Sequence, residues 1–143
     1  MIWLLRHGEA ADGSPDSERP LTDKGQKQSR NAGLALKKLG VEFDACFASP
    51  KVRGRDTAAL ACAELGVEVT IEDALKGGPF DPTEVAAGLD SVLLVGHDPD
   101  FSMAVHSATG AQVRMKKGGL VAISKGELMV MLRPTEIQVI AGG

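Results

Sequence analysis

The feature that most constrains the fold is a pair of uninterrupted apolar runs in the chain. One is IWLL at residues 2–5, and the other is VLLVG at residues 92–96 within the segment SVLLVGHDP. A strand with one solvent-exposed face alternates polar and apolar residues, whereas an uninterrupted apolar run is typical of a strand that is buried on both faces. Such strands occur in parallel sheets covered by helices, so the chain is predicted to be an α/β protein.

Helix start and stop signals lie between and after these runs. Ser, Thr and Asp are the residues that best cap a helix N-terminus, and glycine commonly ends one. Three such helices are predicted at 23–39 after Thr22, at 50–65 after Ser49 and at 99–109 after Asp98. A shorter one is expected to end near Leu89.

Further strands complete the predicted sheet. FDACFASP contains a second strand, and residues 67–71 form a third. The tail alternates or runs apolar with short turns between, which is typical of an antiparallel meander. The sequence therefore predicts a three-layer α/β/α fold with a mixed, mostly parallel central sheet. The three tail segments are 119–123, 127–132 and 136–140.

Length, charge and cysteine usage limit the class of protein. The 143 residues are the size of one domain, so 1–143 is expected to be a single domain. A net charge of -3 argues against a nucleic-acid partner. The apolar run that ends before Arg6 is too short for a signal peptide, whose apolar core has about 7 to 15 residues. We expect a cytoplasmic protein without a membrane partner, in which Cys46 and Cys62 are reduced.

Arginine and histidine side chains follow several of the predicted strands. Arg6 and His7 come directly after the first apolar run, and His97 follows the second. Arg53 falls in the first turn of a predicted helix, and Arg19 lies in the loop after the first strand. Ligands of open α/β sheets bind at the carboxyl ends of the strands. Since arginine grips phosphate oxygens through paired N–H donors, the sequence predicts a phosphate pocket at this edge.

His7 is the candidate nucleophile of this pocket. Neighbouring arginines disfavour an imidazolium ion, so we expect a lowered pKa and a neutral ring near pH 7. Attack on phosphorus would give a transient phosphohistidine that water then hydrolyses, with the arginines and His97 around the phosphoryl oxygens. The histidines at 7, 97 and 106 form neither an HxH nor an HExxH pattern, so no metal or other cofactor is predicted.

Four segments resemble motifs of the histidine phosphatase superfamily, and the short length resembles its SixA-like phosphohistidine phosphatase branch. Each motif is weak by itself, but all four stand here in the order and topology of the family. They are LLRHGEA at 4–10, RPLTDKG at 19–25, SPKVRGRDTA at 49–58 and LLVGHDP at 93–99.

This resemblance implies a phosphoglycerate mutase-like α/β/α fold and a phosphatase or mutase activity. It implies His7 as nucleophile. The phosphate ligands that it implies are Arg6, Arg53 and His97, and Arg19 matches the arginine of the branch's RPLT segment.

A proton donor for the leaving group is the missing part of the predicted site. An ester expels an alkoxide, which needs an acid with a raised pKa. Larger superfamily members supply a glutamate from an inserted segment, for which this chain has little room. The candidates here are Asp98, Glu9 and Asp81, although Asp98 followed by Pro99 is typical of a helix N-cap.

The leading functional hypothesis is a metal-independent phosphatase that acts on phosphohistidine in a protein, because an imidazole leaving group can take its proton from solvent. One alternative is a phosphatase of small esters or sugar phosphates with Asp98 or Glu9 as acid. Another is a non-catalytic module that binds phosphate or a phosphoprotein. A separate basic cluster is interpreted either as a docking patch for an acidic partner or as a solvated loop; its members are Arg114, Lys116 and Lys117.

Overall fold

A computed structural model of the chain describes residues 1–142, which form one six-stranded sheet with helices on both faces. The strands are β1 (Ile2–Arg6), β2 (Ala45–Ala48), β3 (Val69–Ile71), β4 (Val92–Gly96), β5 (Leu120–Ser124) and β6 (Glu127–Leu132). The helices are α1 (Asp23–Lys38), α2 (Val52–Leu65), α3 (Pro82–Val85), α4 (Asp100–Thr109) and α5 (Pro134–Ala141).

The sheet is mixed and mostly parallel, as the sequence predicts. Its strand order is β3-β2-β4-β1-β5-β6. The four strands from β3 to β1 are mutually parallel, and the last two are added antiparallel. The two uninterrupted apolar runs, β1 and β4, are neighbours at the centre of the sheet.

Apolar side chains cover both faces of the sheet. Successive residues of β4 alternate between two cores, with Leu93 in one and Leu94 in the other. The first core includes Leu36 of α1 and Ile137 of α5, and the second includes Phe101 of α4. Burial on both faces explains why the runs at residues 2–5 and 92–96 contain no polar residues, and it confirms the three-layer α/β/α prediction.

The meander predicted for the tail is wrong at its third segment. Residues 136–140 lie in α5 rather than in a strand. Pro134 stands in the first turn, where its missing N–H costs nothing. The Glu136 carboxylate accepts a hydrogen bond from the Arg133 backbone N–H at 3.0 Å, which stabilises the first turn of the helix.

The segment that follows β1 packs closely against the start of α1. A Cβ atom at Gly8 would lie 2.5 Å from the Gly25 carbonyl oxygen, and one at Gly25 would overlap the carbonyl of Glu9. The Thr22 hydroxyl caps α1 by accepting from the Gly25 N–H at 3.0 Å, as predicted. Only glycine permits this approach, which places α1 beside residues 7–9.

None of the helices within residues 1–142 combines the length and the apolar character that crossing a bilayer requires.

Candidate active site

The residues predicted to bind phosphate meet at the carboxyl edge of the parallel strands. Arg6 ends β1, His7 follows it directly, and His97 follows β4, the strand beside β1. A pocket of about 280 Å³ opens at this edge. Among the residues that line it are Arg6, His7, Arg19, Lys51, Arg53, His97, Asp98 and Lys117.

His7 is held in one orientation by bonds to its neighbours. Its backbone N–H donates to the Gly96 carbonyl at 2.9 Å, which ties it to the end of β4. Its side-chain Nδ1 lies 2.7 Å from the Gly8 carbonyl oxygen, an atom that can only accept. We therefore assign the ring proton to Nδ1, which leaves the lone pair on Nε2.

The surroundings of His7 keep its ring neutral. Burial lowers the pKa of His7 from 6.5 to about 4, and the positive charges of Arg53, Arg6 and Lys117 add to this effect, while the bond to Gly8 opposes it. From the sequence, the pKa of His7 is expected to be lowered by the neighbouring arginines alone. The structure shows that loss of solvent around a side chain only 7% exposed is the larger cause.

A chain of buried hydroxyl groups joins the His7 segment to α2. The Gly8 N–H donates to the Thr57 hydroxyl oxygen at 3.0 Å, and that hydroxyl donates to the Arg53 carbonyl at 2.7 Å. Ser29 of α1 lies 3.2 Å from the same Thr57 oxygen. This network sets the position of His7 relative to Arg53, and sequence reasoning missed both hydroxyl residues.

His97 lies beside His7, with their ring centroids 5.1 Å apart. Its Nε2 is 2.7 Å from the Ser49 hydroxyl, while its Nδ1 is buried and has no hydrogen-bond partner within residues 1–142. Burial, followed by the charges of His7 and Arg53, lowers the pKa of His97 to about 3. Because the Ser49 oxygen already accepts from the Lys51 N–H, we assign its hydroxyl as the donor to Nε2, which places the ring proton on Nδ1.

Ser49 is not the helix N-cap that the sequence predicts. The helix α2 begins at Val52 with Lys51 as its N-cap. The Ser49 oxygen accepts from the Lys51 N–H at 3.2 Å, and its hydroxyl faces His97. The capping signal in SPK therefore marks a residue that orients the second histidine.

An acid that sequence reasoning did not single out holds two of the arginines. Asp16 accepts from Arg53 at its carbonyl oxygen (2.8 Å) and at its carboxylate (3.1 Å), and from Arg19 at its carboxylate (3.1 Å). The Lys51 ammonium lies 3.5 Å away. Hydrogen bonds from Arg19 and Arg53 lower the pKa of Asp16 to about 2, although its side chain is exposed. Arg19 also donates to the Ala11 carbonyl, so it lines the pocket with a fixed guanidinium.

Arg6 is anchored at one end only. Its Nη1 donates to the Met115 carbonyl at 2.8 Å, while its Nε is buried without a partner in the part of the chain that the structure describes. A buried donor without an acceptor is costly, and an anion in the pocket would satisfy it. The Arg6 Nε and the His97 Nδ1 are two such donors at one pocket.

The three candidate acids lie in different places. Asp98 lines the pocket, but its carboxylate accepts from the N–H and the hydroxyl of Ser102 at 2.8–2.9 Å. Asp98 thus bonds to the first turn of α4, but the prediction that it is the N-cap is wrong: the helix begins at Asp100, one residue later than predicted, and Pro99 is its N-cap. The structure places Glu9 outside the pocket, bonded to the Thr22 hydroxyl at 3.0 Å and near Lys24. Asp81 caps α3 and does not line the pocket either.

Comparisons with known proteins agree on the family to which this chain is similar. The model of the histidine phosphatase superfamily (branch 1) matches residues 2–85. An uncharacterised protein of Picosynechococcus is 33% identical over 141 residues, which cover 87% of this chain and 85% of the relative. The mitochondrial serine/threonine-protein phosphatase Pgam5 of Drosophila ananassae is 40% identical over 65 residues, which cover 45% of this chain but only 22% of Pgam5.

Solved structures extend the match to nearly the whole chain. The protein histidine phosphatase SixA in complex with tungstate superposes with a TM-score of 0.81 at 25% identity, covering 95% of this chain and 98% of SixA. A protein assigned as phosphohistidine phosphatase SixA from Nakamurella multipartitia gives a TM-score of 0.79 at 26% identity, covering 93% and 95%. From these matches and the site geometry, the chain belongs to the histidine phosphatase superfamily, in its SixA-like branch, and is a phosphatase.

Proposed function

We propose that the protein hydrolyses phosphohistidine on another protein through a covalent phospho-His7 intermediate. The protonation and hydrogen bonding of His7 support the proposal. Its Nδ1–H donates to the Gly8 carbonyl and its pKa is lowered. Its Nε2 therefore keeps a lone pair in a pocket lined by arginines. Neighbouring cations disfavour protonation of the imidazole, so the ring stays neutral and its lone pair can attack an electron-poor phosphorus.

In the first step, the His7 Nε2 lone pair attacks phosphorus and a new P–N bond forms. The P–N bond to the substrate imidazole breaks, and that ring takes a proton from solvent and leaves neutral. Arg6, Arg53 and the His97 Nδ1–H would donate to the equatorial oxygens, where charge is spread in the transition state. No metal is needed for this charge stabilisation, and the two buried donors without partners gain acceptors.

In the second step, water attacks the phosphorus of phospho-His7. The P–O bond forms as the P–N bond breaks, the electron pair returns to Nε2, and the proton of the water leaves to solvent or to phosphate. The bond from Nδ1 to the Gly8 carbonyl persists throughout, so the ring is ready for another cycle.

The contacts of Asp98 support phosphohistidine over an ester. An ester needs an acid that gives a proton to the leaving group, whereas both Asp98 oxygens already accept hydrogen bonds from Ser102. The similarity to SixA proteins, which are named as histidine phosphatases, points the same way. Because Asp98 lines the pocket, a phosphatase of small esters is the second candidate.

A paired hydrolysis assay tests the proposal. The substrates are a protein phosphorylated on histidine and an aryl phosphate, both in the presence of a chelator. Replacement of His7 with alanine should reduce turnover at least about a thousandfold and leave phosphate binding in place, as expected when a nucleophile is removed from an intact pocket. The exposed His106, which is outside the pocket, provides the control variant His106→Ala.

The two candidate functions predict different results. Turnover of the phosphohistidine protein that depends on His7 supports the proposal. Comparable or greater turnover of the aryl phosphate, lost in Asp98→Asn, would instead assign the site to small esters. Full activity in His7→Ala would contradict the covalent mechanism for either substrate.

A further inference from the structure

A second, larger cavity of about 730 Å³ adjoins the candidate active site. It lies between α1, the start of α5 and the loop at 116–118, and we call it the basic groove. Arg6 and Lys117 line both the basic groove and the phosphate pocket, so the two are continuous. The positively charged residues of the groove are Arg6, Lys24, Lys27, Lys116, Lys117 and Arg133.

Most of this positive charge is not neutralised within the molecule. In the part of the chain that the structure describes, Glu9 is the single acidic residue that lines the groove, and it lies 3.8 Å from Lys24. Arg133 pairs with Glu136. No ion pair involves Lys27, Lys116 or Lys117 within residues 1–142. A chain with a net charge of -3 thus concentrates cations beside its site.

The loop that carries two of these lysines is tied to the catalytic segment. The Gly118 N–H donates to the carbonyl oxygens of Arg6 (3.0 Å) and His7 (3.1 Å). Lys116 and Lys117 are therefore held at a set position relative to His7, while their side chains are exposed. This arrangement favours the docking-patch interpretation of the two lysines. Arg114, the third member of that cluster, lines a different cavity with α4 residues.

We propose that the basic groove binds an acidic segment of the phosphorylated protein substrate, next to the phosphohistidine. This inference rests on the proposed function. Charge complementarity selects aspartate and glutamate side chains as the ligands of the lysines. The groove also offers side-chain amides, on Gln28, Asn31 and Gln138, that suit the polar groups of a peptide backbone.

The lining favours a polypeptide over a nucleotide. Within the described chain no aromatic side chain lines the groove, so a nucleobase finds no surface on which to stack. The volume exceeds what a phosphate group alone requires, and the floor includes the buried apolar side chain of Ile137. A peptide with acidic and apolar residues matches this mixture.

The first measurement is binding, which does not depend on turnover. Two short peptides carry a central unphosphorylated histidine, flanked either by Asp and Glu or by Asn and Gln. The double variant Lys27→Gln/Lys116→Gln alters the groove outside the catalytic residues. The matched control is Arg30→Gln/Arg114→Gln, which removes one exposed cation from α1 and one from the loop that precedes β5, both outside the groove.

We expect the acidic peptide to bind the wild type about tenfold more tightly than the neutral peptide, as two or three solvent-exposed charge pairs would give. The groove variant should lose this preference and the control should keep it. Added salt should weaken the binding of the acidic peptide alone, because exposed charge pairs are screened.

The second measurement is kcat/KM with the same peptides phosphorylated on histidine. The groove variant should lose about tenfold for the acidic peptide, matching its loss in binding, and keep the wild-type rate for an aryl phosphate or a free phosphoimidazole. If neither phosphopeptide is hydrolysed, the proposed function fails while the binding data still decide the role of the groove.

Three results would overturn the inference. Equal affinity of the wild type for the two peptides would show that the groove does not bind acidic residues selectively. Equal losses in the groove variant and in the control would show that only net charge matters. Tighter binding of a single-stranded oligonucleotide than of the acidic peptide would assign the groove to nucleic acid.

Discussion

Two arginines of the proposed phosphate pocket are held by a carboxylate that carries its own negative charge. Asp16 is ionised at neutral pH, because hydrogen bonds from Arg19 and Arg53 lower its pKa to about 2. It therefore orients these two side chains and also neutralises part of the field that attracts phosphate. The two effects can be separated by a variant that removes the charge and keeps the backbone acceptor and one of the two side-chain acceptors.

Asp16→Asn is expected to bind inorganic phosphate more tightly. The backbone carbonyl of residue 16 still accepts from Arg53, and the amide oxygen replaces one carboxylate oxygen. Loss of one exposed charge beside the pocket should lower the inhibition constant of phosphate about threefold to fivefold at low salt. Glu18→Gln, in the same short 3₁₀ helix, is the control for net charge. Weaker inhibition by phosphate would mean that orientation of the arginines outweighs the charge.

We expect Ser49 to position His97 for the reaction, and removal of its hydroxyl tests this role. Ser49→Ala leaves the His97 Nε2 without its partner at 2.7 Å, so the ring is free to turn and its proton to change nitrogen. We expect kcat/KM to fall about tenfold, as when the partner that orients a functional histidine is lost. Thr109→Ala is the control, because it removes a hydroxyl at the C-terminal end of α4 that bonds only to backbone groups. An equal or smaller loss in Ser49→Ala than in Thr109→Ala would refute the role.

Sequence reasoning found the residues whose position follows from topology. Arg6 ends β1 and His7 follows it, while His97 follows β4. Arg53 lies in the first turn of the helix after β2, so these residues meet at the carboxyl edge of the sheet. Asp16 is different: the loop between β1 and α1 contains several acids, and only the folded path shows which one reaches Arg53. Such contacts depend on long-range packing that no local pattern encodes.

At the scale of elements, the close contact between α1 and the His7 segment gives a prediction about position. Gly25→Ala would place a methyl group on the Glu9 carbonyl, and Gly33→Ala would place one on the Ala61 carbonyl, at the contact between α1 and α2. Overpacking of this kind costs about 1–3 kcal/mol, so both variants should unfold at lower temperature.

The two glycine variants should differ in activity. Gly25 touches the segment that carries His7, whereas Gly33 lies two turns further along α1. Gly25→Ala should therefore lower kcat about tenfold or more, since small displacements of reacting groups cost that much, while Gly33→Ala keeps kcat in its folded fraction. Thermal denaturation and initial rates below the melting transition separate the effects. Equal kcat in the two variants would show that the contact does not position His7.

The elements themselves differ in how well the sequence predicts them. The strands β1 and β4 are buried on both faces, so their apolar runs have one interpretation. The segment EIQVI at residues 136–140 is short and apolar enough to suit a strand or a helix. Its helix depends on Pro134 and on the bond from Glu136 to the Arg133 backbone, which an apolar pattern does not register.

At the scale of the whole molecule, two buried neutral histidines connect the site to the stability of the fold. The pKa of His7 is about 4 and that of His97 about 3 in the folded chain, against an ordinary value of 6.5. Between these values the unfolded chain binds more protons than the folded chain. The free energy of unfolding therefore falls as the pH drops below about 6.5, and this fall ends near the folded pKa values.

Each of these histidines should lower the free energy of unfolding by about 2 kcal/mol between about pH 7.5 and pH 5. His7→Asn removes one titrating group, so the loss over this interval should be about half that of the wild type. His106→Asn, at an exposed position, should show the full loss. Urea denaturation at the two pH values measures all three proteins. An undiminished loss in His7→Asn would mean that His7 is protonated in the folded chain at pH 5, which would remove the basis for its role as a neutral nucleophile.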